Sequence, residues 1–467
     1  MGNAAIFPTP LPAIRVDVVE PGVRTRRDWL RCEIGKNLKF DTEGLEAYCL
    51  APWDSRVYDV FVVAAAVQFC DHTKARPATG WGREIVLRIP VHDPSCWSSP
   101  DVSEALHEAL TFLTGDQWHI TFTGRKAPAL SPKQGQFIMP DRSRVIIPFS
   151  DGLDSRAVAG LVEREHGHKL IRVRLGSKSL NRSRPRNQRF PFASVPYHVQ
   201  PGKKRFDETS ARSRGFRFAL LSGVAAYLSQ AEQVIVPESG QGALGPCLVP
   251  VGQAYADYRN HPLFTDRMEA FLLALFGHQV RYDFPRLWYT KGETLAEFVA
   301  DCPDGVHWAD TWSCWQSNRQ VSVSGQKRQC GICAACMLRR LSVHAIGGTE
   351  DKETYVWEDL SAARFENGAA SDFENREPRG ALYEYAIAGV LHLDHLADLR
   401  HSKSNKATLD RQAFQLGRSL GLPEAETRAR LDRLLKQHEG EWKGFVHSLG
   451  PDSFVAQWAV WAERYGT

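Results

Sequence analysis

Hydrophobic and polar positions in the middle of the chain alternate in the order expected of repeated strand–helix units. Residues 145–149 form a short apolar run, and residues 156–165 have the spacing of an amphipathic helix that Gly167 ends. The same alternation continues through strand 170–175, helix 215–231 and strand 234–237. This order predicts a parallel sheet covered on both faces, with ligands at the carboxyl ends of its strands. We therefore predict an α/β fold for residues 141–345.

The region before this segment has a different pattern. Strand-like runs at 84–89 and 118–122 enclose a helix-like run at 103–113, which ends at Gly115. We interpret residues 1–140 as an accessory α+β domain.

The region after this segment is predicted to be helical. Residues 424–437 and 452–465 have helical spacing, and Leu431, Leu434 and Leu435 lie on one side of the first run. We therefore assign residues 346–467 to a helical C-terminal region, which makes three domains in all.

Length and composition agree with an ordinary multidomain protein. A chain of 467 residues with 43% hydrophobic and 24% charged residues can bury two or three normal cores. The N-terminus lacks a basic segment followed by a long apolar run, and the apolar stretch 60–67 is too short to cross a bilayer. We expect a cytoplasmic protein with no membrane partner.

One segment is strongly basic. Residues 171–217 contain thirteen Lys or Arg and two acidic residues, Asp207 and Glu208. A clamp over a triphosphate, a nucleic-acid contact and a plain solvated loop are all consistent with this composition. Because the net charge of the whole chain is only +4, we favour a triphosphate over nucleic acid as the ligand.

The turn between the predicted strand 145–149 and helix 156–165 is the first candidate site. Its residues are Ser150, Asp151, Gly152, Leu153, Asp154 and Ser155. A strand, a tight turn and a helix N-terminus together present backbone N–H groups to an anion. The carboxylate of Asp151 would repel phosphate unless it turns outward or towards a magnesium ion.

Four cysteines form the second candidate site. Cys314, Cys330, Cys333 and Cys336 have the spacing C-x15-C-x2-C-x2-C, which suits four thiolates around one tetrahedral Zn²⁺. Such a closed site would be structural, and disulfides or scattered core thiols are the alternatives. The other six cysteines are dispersed, as expected of buried thiols in a reduced compartment.

Both sites resemble known families. The loop 150–155 (SDGLDS) is similar to the S-G-G-x-D-S loop of PP-loop ATP pyrophosphatases, with Asp151 in place of the usual glycine. Residues 311–314 (TWSC) and 330–339 (CGICAACMLR) resemble the cysteine signature of the 7-cyano-7-deazaguanine synthases (QueC). Residues 213–218 (SRGFRF), 255–259 (YADYR), and Pro285 with 290–293 (TKGE) resemble further motifs of that family, in order.

The resemblance implies an ATP-dependent ligase that forms a C–N bond by adenylating a 7-deazaguanine carboxylate. It implies that Ser150, Gly152, Leu153 and Ser155 cradle the phosphates and that Asp154 binds Mg²⁺. Arg214 and Lys291 would contact the α-phosphate or the departing pyrophosphate, and Asp257 would read the guanine edge. Glu238 and Gln241 would contact the substrate, whereas Arg339 would face the substrate or cap local carbonyls.

The acceptor amine is left open by the sequence. Ammonia would give a nitrile, as in the housekeeping synthase, whereas the flanking regions favour an amine on a protein partner from the same operon. Longer relatives occur in the anti-phage operons Qat and type IV CBASS, and the chain resembles those. In another interpretation, the loop containing Asp151 has lost turnover and the chain is a nucleotide-binding scaffold.

Overall fold

A computed structural model describes most of the chain. The described residues are 13–42, 54–77, 80–128, 144–150, 152–174, 195–202, 205–250, 255–302, 308–315, 321–374, 377 and 379–459. The strands are β1 (Ile14–Val19), β2 (Leu30–Glu33), β3 (Leu38–Phe40), β4 (Glu84–Val91), β5 (Gln117–Gly124), β6 (Val145–Pro148), β7 (Leu170–Val173), β8 (Tyr197–Val199), β9 (Gln233–Ile235), β10 (Arg281–Asp283), β11 (Ser322–Val323) and β12 (Gln326–Lys327).

Helices connect and follow these strands. They are α1 (Arg56–Thr73), α2 (Pro94–Trp97), α3 (Pro100–Thr114), α4 (Leu153–His166), α5 (Arg214–Ser229), α6 (Gly240–Ala243), α7 (Gly245–Leu248), α8 (Pro262–Phe276), α9 (Lys291–Asp301), α10 (Ala334–Ala345), α11 (Ala381–Asp398), α12 (Lys406–Leu420), α13 (Glu424–Leu449) and α14 (Phe454–Trp458). Within the described ranges, no helix combines the length and apolarity that crossing a bilayer requires.

The chain divides into two compact units, and each is discontinuous in sequence. The first consists of Met1–Ile146, Arg172–Val234 and Phe264–Arg281. The second consists of Ile147–Ile171, Ile235–Leu263 and Tyr282–Thr467. Domain boundaries near residues 140 and 345 remain a prediction.

The first unit contains a four-stranded sheet in the order β2-β1-β4-β5, and all three pairings are parallel. Parallel neighbours need long connections, which α1 supplies between β1 and β4 and α2 with α3 supplies between β4 and β5. The α+β arrangement expected for residues 1–140 is therefore corrected, because β1, β4 and β5 are parallel neighbours joined through helices. The run 60–67 lies within α1, and it is buried there because both faces of this helix pack in the unit.

The central sheet has the order β10-β9-β6-β7, and its β6–β9 pair is parallel, as predicted. The chain leaves β6 through α4 towards β7 on one side, whereas β9 lies on the other side of β6. This reversal between β6 and β9 is the place where open α/β sheets bind ligands, at the carboxyl ends of the strands.

Helix α4 begins at Leu153, earlier than the predicted position 156, and it ends before Gly167 as expected. The N–H of Arg156 already donates to the carbonyl of Gly152, at 3.1 Å. Asp154 and Ser155 consequently lie in the first helical turn rather than in a free loop, so their positions are fixed by the helix.

The described C-terminal residues are helical in α11 to α14, as the periodicity predicted. Leu431, Leu434 and Leu435 are buried on one side of α13. A core of Met337, Trp357 and Trp442 joins α10 and α13 to the segment between α10 and α11. The predicted helix 452–465 is seen as α14, and residues 460–467 lie outside the described residues.

Candidate functional site

The turn that joins β6 to α4 is held by its own side chains. Ser150 Oγ lies 2.9 Å from Ser155 Oγ, and the N–H of Gly152 donates to Ser150 Oγ at 3.2 Å. The N-terminal amides of α4 therefore begin directly beside two hydroxyl groups, an arrangement that suits an anion. Asp151 lies outside the described residues.

Leu153 has a different role from its neighbours in this turn. It is almost fully buried in an apolar cluster with Ala157, Leu295 and Phe298, which packs α4 against α9. Its side chain is therefore committed to the core, and only its backbone remains for a ligand. The cluster fixes the first turn of α4 relative to α9.

Asp154 and Lys291 form the closest charged pair of the site. Lys291 Nζ lies 2.5 Å from Asp154 Oδ2, and the two side chains are only 7% and 14% exposed. Asp154 is in the first turn of α4, and Lys291 is the first residue of α9. The structure thus brings together two of the three predicted catalytic residues, although they are far apart in sequence.

Glu238 is the second carboxylate at this point, just beyond the carboxyl end of β9. Burial and the neighbouring Asp154 raise the pKa of Glu238 to about 8, against the opposing effects of Lys291 and Asn260. Asn260 Nδ2 donates to Glu238 Oε2 at 2.9 Å. The raised pKa favours the protonated form of Glu238, which can donate a hydrogen bond to Asp154. A Cβ atom at Gly242 would overlap with the Glu238 carboxyl group, so the glycine provides the space for it.

Gln241 is buried, and both ends of its amide are paired with protein. Its Oε1 accepts from the backbone N–H of Lys291 at 2.8 Å, and its Nε2 lies 2.8 Å from His438 Nδ1. These contacts position the start of α9. A direct contact between Gln241 and a substrate remains a prediction.

Asp257 is in the segment that was expected to read a guanine edge. Its Oδ2 accepts from Arg259 Nε at 2.8 Å, and its Oδ1 accepts from the N–H of Arg259 at 3.2 Å. Tyr255 and Tyr258 lie beside it with ring centroids 6.1 Å apart. The carboxylate is therefore oriented by Arg259 within a short aromatic segment.

Arg339 is completely buried in α10. Its guanidinium donates to Glu350 Oε1 at 2.9 Å, to the carbonyl of Thr311 at 2.9 Å and to the carbonyl of Ala309 at 3.1 Å. Of the two roles considered from the sequence, this geometry corresponds to the capping of local carbonyls. Arg339 thereby ties the segment before Cys314 to α10.

Arg214 lies in the first unit, where it is the first residue of α5. Its guanidinium carbon is 5.5 Å from the centre of the Phe218 ring, one turn further along the helix. Its predicted contact with a phosphate group stays a prediction. Much of the basic segment, including residues 175–194, lies outside the described residues.

The four predicted cysteines lie together in the second unit. The sulfur atoms of Cys314, Cys330, Cys333 and Cys336 are all within 4.8 Å of one another. A tetrahedral ion with Zn–S bonds of about 2.3 Å separates its sulfurs by about 3.8 Å. The observed distance between the sulfurs of Cys330 and Cys336 is 3.8 Å, so the cluster fits a structural zinc ion.

Local backbone geometry supports this interpretation. The N–H groups of Cys330 and Cys333 point at the sulfurs of Cys314 and Cys330, at 3.2 and 3.3 Å. Gly331 has a φ of +84°, and its α-carbon faces the carbonyl of Trp357, so a larger residue would be strained there. Burial raises the pKa of Cys330, whereas hydrogen bonds with the other three thiols lower that of Cys314. A bound cation would deprotonate all four thiols.

Several residues of the site were missed by the sequence analysis: Asn260, Thr290, His438 and Glu441. One signal was available, because Thr290 and Glu293 have the spacing of a helix-capping box that marks Lys291 as a first helical residue. The contacts of Asn260, His438 and Glu441 join segments that are distant in sequence, so no local sequence pattern predicts them.

Comparison with known families gives one match. Residues 249–347 match the model of the family described as "QueC: Queuosine biosynthesis protein QueC". The matched segment includes Asp257, Lys291 and the four cysteines, and it begins after the loop 150–155. No curated protein and no solved structure gives a significant match. The match supports similarity to an ATP-using family related to 7-cyano-7-deazaguanine synthesis.

Proposed function

We propose that this protein uses ATP to adenylate the carboxylate of a 7-deazaguanine base and then transfers the acyl group to an amine. The observation that carries the proposal is the Asp154–Lys291 pair at the carboxyl edge of the central sheet. It joins a phosphate-binding turn to a segment that matches the QueC family model. The cysteine cluster of that segment lies in the same unit.

In the first half-reaction, a carboxylate oxygen of the base attacks the α-phosphorus of ATP, and pyrophosphate leaves. Ser150, Ser155 and the first amides of α4 hold the phosphates in line. Lys291 moves from Asp154 to the charge that develops on the phosphate oxygens. The Asp154 carboxylate would supply an oxygen ligand of the kind that Mg²⁺ prefers, and the ion would there neutralise phosphate charge.

In the second half-reaction, an amine attacks the acyl carbon, and AMP leaves. Asp257 holds the base through its N1–H and 2-amino groups. The buried Glu238 lies at Asp154, beyond β9, where it can orient the carboxylate of the substrate as a donor. A zinc ion at the four cysteines has a structural role only.

Pyrophosphate release on incubation with ATP and 7-carboxy-7-deazaguanine tests the proposal. We expect Ser155→Ala and Asp154→Asn to abolish release and to leave the melting temperature close to that of the unmodified protein. Asp301→Asn is the matched control, because Asp301 pairs with Arg164 at the opposite, exposed ends of α9 and α4. Unchanged release in Asp154→Asn would move the active site elsewhere.

Two acceptors follow from the same chemistry. Ammonia would give an amide and then, by loss of water, the nitrile, whereas an amine on a protein partner would give an amide-linked conjugate. We favour the protein partner, in an anti-phage defence setting, because residues 1–140 and 346–467 lie outside the predicted PP-loop domain, where such flanking regions could orient a second macromolecule. Intact-mass analysis of co-expressed neighbours decides this: free nitrile with ammonia, and no mass increase on any neighbour, would contradict the conjugation.

A scaffold role is favoured by one observation, the carboxylate of Asp151 in the phosphate-binding turn. If the chain only binds nucleotide, ATP will bind without pyrophosphate release, and Asp151→Gly will not create release. If the chain is an enzyme, Asp151→Gly will retain release with equal or tighter ATP binding. The same assay therefore separates the two functions.

A further inference from the structure

We infer that α13 holds the first turn of α9 and thereby sets the position of Lys291, with His438 and Glu441 as positioning residues. The inference deepens the proposed function and rests on it for the role of Lys291. Helix α13 lies outside the segment that matches the QueC family model, so the family match does not assign these residues any role.

The first turn of α9 is built around a capping box. Thr290 Oγ1 accepts from the N–H of Glu293 at 3.1 Å, and the N–H of Thr290 donates to Glu293 Oε2 at 2.9 Å. The box fixes the backbone on both sides of Lys291. The direction of the Lys291 side chain therefore depends on what holds Thr290 and Glu293.

Helix α13 contacts this turn along one face, from two positions about two helical turns apart. Arg433 forms an ion pair with Glu293 and donates to the carbonyl of Trp288 at 2.8 Å. Glu441, two turns further on, accepts from the hydroxyl of Thr290 at 2.5 Å. Residues four and eight apart on a helix lie on the same side, and Gln437 between them donates to Glu441 Oε1 at 3.2 Å. Both members of the capping box are thus bound to α13.

A chain of hydrogen bonds reaches the backbone of Lys291 itself. His438 Nε2 lies 2.8 Å from the carbonyl of Leu393 and must donate to it, which leaves Nδ1 as an acceptor for the amide of Gln241. The other end of that amide then accepts from the N–H of Lys291. Burial lowers the pKa of His438 to about 4, so the ring stays neutral and this order is maintained at pH 7.

The residues that form these hydrogen bonds are shielded from solvent. Gln241, Thr290 and His438 are buried, so water cannot replace a partner that is removed. A Cβ atom at Gly292 would lie 2.9 Å from Glu441 Oε1 and 2.9 Å from the Ala345 side chain. A larger residue at position 292 would therefore require the Glu441 side chain and Ala345 of α10 to shift.

The opposite face of α13 provides the matched control. Glu439 lies two residues before Glu441 and pairs with Arg400, His401 and Lys443, away from α9. Glu439→Ala removes a glutamate side chain from the same helix, as Glu441→Ala does. It leaves the contacts of Thr290 and Gln241 in place.

Turnover of ATP and 7-carboxy-7-deazaguanine is the first measurement. We expect Glu441→Ala to lower kcat by about 10-fold or more with little change in KM for ATP, as loss of transition-state alignment does. Glu441→Gln retains an acceptor for Thr290 and should recover most of the activity, and Glu439→Ala should change kcat little.

In a Lys291→Ala background, Glu441→Ala should have no further effect on kcat. Equal losses in Glu441→Ala and Glu439→Ala, or a further loss in that background, would overturn the inference.

The second measurement does not need turnover. Reductive methylation with formaldehyde, followed by peptide mass spectrometry, reports the accessibility of the Lys291 amine. We expect faster modification of Lys291 in Glu441→Ala and no change in Glu439→Ala. An unchanged rate in Glu441→Ala would contradict the inference even if the unmodified protein releases no pyrophosphate, an outcome that would count against the proposed function alone. If Glu441→Ala fails to fold, Thr290→Val against Thr290→Ser makes the same comparison.

Discussion

The cysteine cluster and the first turn of α9 belong to the same unit, yet they are held in different ways. Three of the four cysteines lie within residues 330–336, and nearby backbone N–H groups point at their sulfurs. The turn that carries Lys291 depends instead on Asp154, Gln241, His438 and Glu441, which come from three separate parts of the chain. One site is largely local in sequence and fits a zinc ion, whereas the other is assembled from distant segments by the fold.

The two sites should therefore respond differently to single substitutions. A metal cluster concentrates its free energy of binding in a few bonds, so the loss of one ligand is severe for folding. A site assembled from buried hydrogen bonds divides its stability among many contacts. Single changes there should alter geometry and activity before they unfold the unit.

The largest expected effect is at the cluster. Purified protein should contain about one equivalent of zinc, and Cys333→Ser should lose the metal together with solubility or folding, since structural zinc sites contribute on the order of 10 kcal/mol. Metal analysis and thermal unfolding measure this outcome. Cys302→Ser is the control, because Cys302 lies outside the cluster. A metal-free protein that is fully folded would contradict the prediction.

The next effect concerns the assembled site. Lys291→Ala should lower pyrophosphate release by about 100-fold or more, the range for loss of one charge-stabilising group, while the zinc content stays unchanged. Lys443→Ala removes a half-exposed lysine of α13 and should leave release intact. Loss of zinc in Lys291→Ala would show that the two sites are not independent.

Acid should weaken the second unit through its buried histidines. Burial lowers the pKa of His261 to about 3 and of His392 and His438 to about 4, whereas the unfolded chain binds protons near pH 6.5. Between these values the unfolded state binds more protons, so the free energy of unfolding falls as the pH falls from about 6.5 to about 4, by up to about 3 kcal/mol for each histidine.

Denaturant titration at several pH values measures this slope, with zinc content followed in parallel because acid also protonates thiolates. In His438→Gln the slope should be smaller by one group. An identical slope in the variant would show that His438 does not contribute.

The smallest expected effect is at Asp257. Asp257→Asn should weaken binding of 7-carboxy-7-deazaguanine by about 2 kcal/mol, the cost of a mismatched buried polar contact, and leave ATP affinity nearly unchanged. Calorimetry with each ligand separates the two. If both affinities fall together, the carboxylate serves only to orient Arg259, and Arg259→Lys should then have the same effect.

Features that depend on residues close together in the chain could be predicted from the sequence alone. The spacing of Cys330, Cys333 and Cys336, the turn at Ser150 to Ser155 and the periodicity of α13 were all readable, because each depends on residues a few positions apart. The parallel pairing of β6 with β9 followed from the strand–helix order.

The contacts between these elements depend on the tertiary structure. The strand-like runs in residues 1–140 do not indicate whether neighbouring strands are parallel or antiparallel. The parallel pairing of β1 with β4 depends on the crossover through α1. The raised pKa of Glu238 comes from burial beside Asp154, and the capping role of Arg339 comes from carbonyls near Thr311. Such contacts depend on how distant segments pack, and no pattern of neighbouring residues specifies that geometry. The contacts between α13 and the turn before Lys291 are therefore seen only in the folded chain.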